Sequence, residues 1–336
     1  MANVNKIDIN GEKQITVQGG NSLLTELTKK NIFIPTACGG RGICGLCKIK
    51  VIKGAPTILP TEIPLLSEEE KENNVRLSCQ IKVSNDLVIE IPKEFLTIKE
   101  TRCKCTDILD LTHDIKIFKL ELIEPLTLDF IPGQYVQLLS PAYAKGVEEV
   151  YRAYSIASER QNKNMIELII RLVPGGICTT YCFNYLKVGD NVKLNGPYGA
   201  FYLSDSNAPI VFIAGGTGIA PIRSILYYMA ETNCQRNAAF YFGANKVKEL
   251  FLLDEMAKFE KQLPNFKFVP VVASPEENEK WDGQLGLVTQ AVQQNLKNVH
   301  EHEAYLCGSS GMIDAAIEVL KNMGMPEENI FFDKFA

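Results

Sequence analysis

Residues 38–47 read Cys-Gly-Gly-Arg-Gly-Ile-Cys-Gly-Leu-Cys, and Cys79 follows, giving the spacing C-x5-C-x2-C-x31-C. Four thiolates suit tetrahedral zinc or two bridged irons. Zinc sites usually pair their cysteines as two CxxC knuckles, whereas here three ligands share one loop and the fourth is distant. Gly39, Gly40, Gly42 and Gly45 let the backbone wrap closely and turn N–H groups toward sulfur, which tunes a cluster's potential. The spacing therefore points to iron, with zinc and a glycine-rich loop of incidental cysteines as alternatives.

The other six cysteines (Cys103, Cys105, Cys178, Cys182, Cys234 and Cys307) are scattered, as small buried hydrophobes are. The chain has 336 residues and a formal charge of −5, and 46% of its residues are hydrophobic. At roughly 150 residues per domain, that length predicts two or three domains. The acidity leaves no basic footprint for nucleic acid. No apolar run reaches the roughly 18 residues needed to span a bilayer, and the N-terminus has no secretory h-region. A reduced, cytoplasmic protein is expected, so clustered cysteines imply metal rather than disulfides.

Outward from the loop, three compositional regions emerge. In residues 1–97 a hairpin (6–9, 14–17, turn Asn10-Gly11) precedes a helix over 22–30. Strands are predicted at 48–52, 76–83 and 87–91. A helix opens at Ser67, whose Glu70 completes a capping box. This is a compact α+β unit. Residues 98–203 carry short strands at 115–122, 135–139, 165–173 and 191–194 between turn signals, an antiparallel barrel or sandwich. Residues 204–336 alternate strands (210–214, 238–242, 266–272, 304–307) with helices (221–232, 251–262, 287–296, 312–323), a parallel doubly wound sheet.

Two further motifs sit on these elements. Arg152-Ala153-Tyr154-Ser155 lies on a strand of the middle region, accompanied by Pro132-Gly133-Gln134-Tyr135 and Gly196-Pro197-Tyr198-Gly199. Gly215-Gly216-Thr217-Gly218-Ile219-Ala220-Pro221 follows a strand and opens a helix. Proline in the first turn forfeits no needed N–H, and the glycines let a pyrophosphate approach the positive helix end.

Together these motifs resemble the ferredoxin–NADP reductase superfamily, with residues 1–97 similar to a β-grasp [2Fe–2S] ferredoxin. The x5 loop, TVQGGNSLL (16–24), ILPTE (58–62) and Trp281-Asp282-Gly283 further resemble the F subunits of sodium-translocating NADH:quinone reductases. The resemblance implies a β-grasp domain, an antiparallel β-barrel FAD domain and a doubly wound NAD domain. It implies that Cys38, Cys44, Cys47 and Cys79 hold a [2Fe–2S] cluster. Arg152 would pair with the flavin pyrophosphate, Tyr154 would pack on the isoalloxazine, and Ser155 would hydrogen-bond near flavin N5. Gly176 and Thr179 would form a second phosphate loop, and Phe335 would stack on the flavin. For NADH it implies the 215–221 loop (Gly215, Gly216, Thr217, Gly218, Pro221), Gly243 and Gly308. Cys307 would lie beside the nicotinamide, and Glu249 on the adenosine ribose, favouring NADH over NADPH.

The expected function is an NADH-oxidising reductase passing electrons from NADH to FAD to the cluster and on to a separate acceptor protein: an oxygenase or another metalloprotein such as a corrinoid protein. Those F subunits begin with a membrane helix and carry a longer insertion before the Arg152 strand. This chain shows neither, which favours a soluble reductase component over a component of a membrane NADH:quinone reductase. A redox sensor without steady turnover is the remaining alternative. His113, His300 and His302 show no ligand spacing, and Cys103-Lys104-Cys105 falls near a domain junction with an expected structural role.

Overall fold

The computed structural model describes residues 4–277 and 279–335. The first sheet begins with the hairpin β1 (Val4–Ile9) and β2 (Lys13–Gln18), turned by Asn10 and Gly11 at positive φ. Helix α1 (Leu23–Lys29) follows, its Ser22 cap accepting from the Thr25 N–H. Then come β3 (Lys48–Lys53), α2 (Glu68–Glu72) with both arms of the Ser67/Glu70 capping box, β4 (Val75–Leu77) and β5 (Leu87–Glu90). The order is β2-β1-β5-β3-β4, with β1 and β5 parallel. Ile7, Ile9, Leu23, Leu27 and Ile89 form a fully buried centre between this sheet and α1.

The strand predicted over 76–83 stops at Leu77. The chain turns there, Gln80 N–H donating to Leu77 O (2.8 Å) and Ser78 N–H to Cys47 O (2.9 Å). Ladder bonds are given up so that Cys79 returns to the cysteine loop.

The second sheet holds β6 (Glu100–Asp110), β7 (Ile115–Glu124), β8 (Tyr135–Ser140), β9 (Val150–Ser155), β10 (Met165–Arg171) and β11 (Asn191–Tyr198). It is antiparallel in the order β10-β7-β6-β11-β8-β9, and a bridge between Ile156 and Leu168 joins its two edges into a barrel. Strand β6 was not anticipated. Cys103-Lys104-Cys105 lies inside it rather than at a junction, and strand alternation turns both thiols into the barrel core and Lys104 to solvent. The helix α3 (Lys93–Thr97) before it, and α4 (Ile177–Asn184) where a loop was expected, are also new.

The third sheet is parallel throughout: β12 (Ile210–Gly215), β13 (Ala238–Ala244), β14 (Phe266–Val272), β15 (Gln284–Leu285), β16 (Glu303–Ser309) and β17 (Ile330–Phe335), in the order β15-β14-β13-β12-β16-β17. Helices α5 (Ile219–Glu231) and α6 (Leu253–Gln262) cover the face bearing Phe212 and Phe240. Helices α7 (Val288–Asn295) and α8 (Ser310–Asn322) cover the face bearing Val211 and Ile213. This is the doubly wound arrangement expected. The C-terminal segment carrying Phe335 is the edge strand β17, paired along β16.

Specific contacts join the three sheets. Phe33 meets Tyr151 edge-on (6.1 Å), Phe95 meets Tyr198 (6.2 Å), and the buried Gln137 amide donates to Ile34 O (3.4 Å). On the other side Arg223 of α5 donates to Glu167 of the barrel, to Ala157 O (2.9 Å) and to Glu255 (2.6 Å). Ser224 adds a hydrogen bond to Ser158 O (2.7 Å).

Candidate functional site

The four cysteines of the x5 spacing meet as two pairs. The Cys44 thiol hydrogen-bonds to Cys38, drawing Cys38 down to about 4 against its burial and pushing Cys44 up. Cys47 does the same for Cys79, which falls to about 7. Among the described residues no three His, Cys, Asp or Glu side chains are arranged to hold one ion. Two pairs suit two bridged irons, each taking two thiolates, better than one tetrahedral zinc. Gly39, Gly40, Gly42 and Gly45 all take positive φ, the backbone cost that makes this loop glycine-rich. Gly39 leaves no space for a side chain, because an added Cβ would lie 1.5 Å from Arg152 Nη1.

That contact leads directly into a cavity of about 800 Å³ bounded by all three sheets. The cysteine loop contributes Ala37, Arg41 and Leu46. The barrel contributes Arg152, Tyr154 and Ser155 from the end of β9, beside Gly176 and Thr179 at the start of α4. Arg152 is anchored by donating to Tyr151 O (2.8 Å). Thr179 sits in the cavity wall, but its hydroxyl is tied to its own loop: it accepts from Val173 N–H (3.2 Å) and donates to Gly176 O (3.3 Å).

The parallel sheet closes the far side at the carboxyl ends of its strands, where such folds bind ligands. Chain order reverses between β12 and β16, and Gly215, Gly216 and Thr217 line the cavity there. Gly243 lies beside Gly215 in the sheet register, and an added Cβ at Gly215 would meet Met312 Sδ at 3.1 Å and Gly243 O at 3.4 Å. Backbone is thereby left open to a ligand. Gly218, Pro221 and Gly308 are buried behind this wall, and Gly218 packs so tightly that a Cβ would fall 2.1 Å from Cys307 O. The Cys307 thiol is fully buried, burial pushes its pKa well up, and it does not line the cavity. Glu249 does, with one carboxylate oxygen accepting from Asn245 N–H (3.1 Å). Phe335 lines the cavity from the end of β17.

Among the cavity residues not singled out from sequence are Arg41, Leu46, Arg171 and Asp333. Arg41 and Leu46 were hidden among the cysteines. Arg171, paired with Asp114 (2.7 Å), lies beside Gly216, and only its place just before the Pro174-Gly175-Gly176 turn could have marked it. Asp333, whose carboxyl burial pushes up to about 6, stands two residues before Phe335. The histidines are away from the site: His113 and His300 are exposed, and His302 is half-buried with Nδ1 unpartnered.

The chain matches three families in succession: the 2Fe-2S iron-sulfur cluster binding domain (residues 7–84), the oxidoreductase FAD-binding domain (102–202) and the oxidoreductase NAD-binding domain (212–318). The F subunit of the Na(+)-translocating NADH-quinone reductase of Neisseria meningitidis serogroup C is 33% identical over 98% of this chain and 91% of its own length. That of Methylococcus capsulatus is 33% identical over 97% and 90%. Among solved structures, Amycolatopsis cytochrome P450 reductase GcoB superposes with a TM-score of 0.78 at 27% identity, covering 98% of each chain. The ferredoxin reductase in carbazole 1,9a-dioxygenase gives 0.75 at 25% identity, covering 100% of this chain and 99% of its own. No helix among the described residues is long and apolar enough to cross a membrane. With its cluster-binding, flavin-binding and nicotinamide-binding parts in that order, this oxidoreductase belongs to the family of the Na(+)-translocating NADH-quinone reductase F subunits.

Proposed function

We propose that the protein oxidises NADH and delivers the electrons one at a time, through FAD and a [2Fe–2S] cluster, to a separate acceptor protein, an oxygenase or another metalloprotein such as a corrinoid protein. The observation that carries the reading is the shared cavity, into which the cysteine loop, the Arg152 strand and the Gly215 loop all project. NADH supplies a hydride, a flavin can accept the pair and release electrons singly, and a [2Fe–2S] cluster carries one.

The residues divide the work. Cys38, Cys44, Cys47 and Cys79 hold the cluster. Arg152, seated on Gly39 and Tyr151 O, offers a fixed guanidinium to the flavin pyrophosphate. Tyr154 packs on the flavin, Ser155 faces its reacting edge, Gly176 and Thr179 shape the phosphate loop, and Phe335 covers the ring. Gly215, Gly216, Thr217 and Gly243 let the dinucleotide approach bare backbone, while Gly218, Pro221 and Gly308 support that wall. Glu249 favours NADH by repelling a 2′-phosphate. Cys307, buried behind Gly218, acts by shaping the wall. The working units meet between α3 and β6 (97/98) and between β11 and β12 (203/204).

A second reading, a component of a membrane NADH:quinone reductase, is favoured by the named relatives. Against it, the alignment to them runs 369 positions for a 336-residue chain, so those proteins carry insertions absent here. NADH:quinone activity in membranes that depends on this protein would support the second reading.

The test is Cys79→Ser. It should abolish cluster absorption and electron delivery to a cluster-dependent one-electron acceptor while NADH still reduces the flavin. Unchanged one-electron delivery would overturn the proposed route, and the absence of sustained NADH turnover in the wild type would favour a sensor.

A further inference from the structure

Gln80 follows the fourth cysteine and is half-buried against the cysteine loop. Its side-chain Nε2 lies 3.4 Å from Cys79 Sγ, with hydrogen-bonding geometry. On the other side of the amide, Oε1 accepts from the Thr61 hydroxyl at 3.0 Å. Reversing the amide would set its oxygen against sulfur and waste the hydroxyl donor, so a thiolate at Cys79 fixes the orientation seen.

Two features hold this arrangement. Thr61 belongs to a turn pinned from below: buried Glu62 accepts from Leu59 N–H (2.9 Å) and Leu77 N–H (3.0 Å) and pairs with Arg76 (2.6 Å). The loop itself makes room, since a Cβ on Gly42 would fall 2.5 Å from Gln80 Nε2. A glycine in the loop, an anchored hydroxyl and an oriented amide thus converge on one sulfur.

We propose that Gln80 is a positioning residue that raises the reduction potential of the cluster by donating to Cys79 Sγ, with Thr61 holding its amide in register. A donor at a ligand sulfur stabilises the extra negative charge of the reduced cluster, and hydrogen bonds to sulfur are among the protein's levers on such potentials. Gly42 supplies a backbone donor to Cys79, whereas this one comes from a side chain and can be removed without altering the ligands. The inference rests on the cluster reading above.

The experiment is EPR-monitored potentiometry on the full chain with its cofactors. In Gln80→Leu, loss of one charge-assisted hydrogen bond should make cluster reduction about tenfold less favourable, which is about 59 mV lower for a one-electron couple. Gln80→Glu keeps the shape but sets a carboxylate against sulfur, and should lower the potential at least as far. Thr61→Val should lower it less. Each variant should keep the wild-type cluster absorbance. A wild-type potential in Gln80→Leu and Gln80→Glu, or loss of the cluster from both, would overturn the proposal. Absence of a [2Fe–2S] signal from the wild type would instead refute the functional reading on which it stands.

Discussion

Gly39→Ala puts the joint between the cysteine loop and the flavin wall under direct strain. Gly39 sits at φ +64°, so alanine there costs about 1 kcal/mol in backbone conformation alone. Its Cβ would lie 1.5 Å from Arg152 Nη1, 2.5 Å from Cζ and 3.0 Å from Tyr151 O. The carbonyl is part of a strand and holds, so the guanidinium must swing away. A hydrogen bond between charged groups contributes about 1.5–3 kcal/mol, so losing Arg152 from the flavin pyrophosphate should weaken FAD binding about 10- to 150-fold. Gly40→Ala is the control: at φ +88° it carries a similar backbone penalty, but its Cβ meets only Leu24 and Cys79 at 3.7 and 3.8 Å. FAD affinity is read by calorimetry on flavin-stripped protein, with cluster absorbance confirming the loop. If Gly39→Ala binds FAD as Gly40→Ala does, Arg152 does not hold the pyrophosphate as argued.

Burial opposes ionisation of Glu62, but Arg76 and the Leu59 and Leu77 N–H groups outweigh it and hold the carboxyl below its ordinary range. A depressed folded-state pKa means stability is present above the ordinary value of 4.5 and is lost as pH falls below it, so thermal scans from pH 6 to pH 3 should show the N-terminal unit losing stability in acid, and Glu62→Gln should flatten that loss. Arg223→Ala strands Glu167 and Glu255 at the contact between barrel and parallel sheet and should cost about 3–5 kcal/mol, seen as a lower melting temperature. Ser155→Ala should slow NADH reduction of the flavin about 10²-fold with NADH affinity unchanged, measured by stopped flow. Glu249→Gln should narrow the preference for NADH over NADPH, measured as a ratio of kcat/KM values.

The elements with strong periodicity were legible in the sequence. The third sheet's helices and its strands β12, β13, β14 and β16 lie where amphipathic stretches and apolar runs put them, because the central strands β12 and β16 are buried on both faces, whereas the more exposed edge strands β15 and β17 carry no such run. What escaped notice had a local signal overridden by tertiary need. Strand 76–83 breaks at Leu77 because Cys79 must turn back to its partners, and nothing in Leu77-Ser78-Cys79 announces that. Strand β6 hid behind lysines and cysteines whose alternation is plain only once the barrel interior is known. In the site, most residues carried by motifs lie on the cavity wall, whereas Arg171 belongs to another element and reaches it only through the fold, and Arg41 and Gln80, though close to ligand cysteines in sequence, carry no signal of their own. At Cys307 the motif's neighbours Gly218 and Gly308 pack behind the cavity wall, while the thiol itself is fully buried in the core.

The central claim is that the three sites work in series, and stripping FAD while retaining the cluster tests it most directly. Mixed anaerobically with NADH, such protein should keep its cluster oxidised, and added FAD should restore rapid cluster reduction. Cluster reduction by NADH at an undiminished rate without FAD would contradict the account.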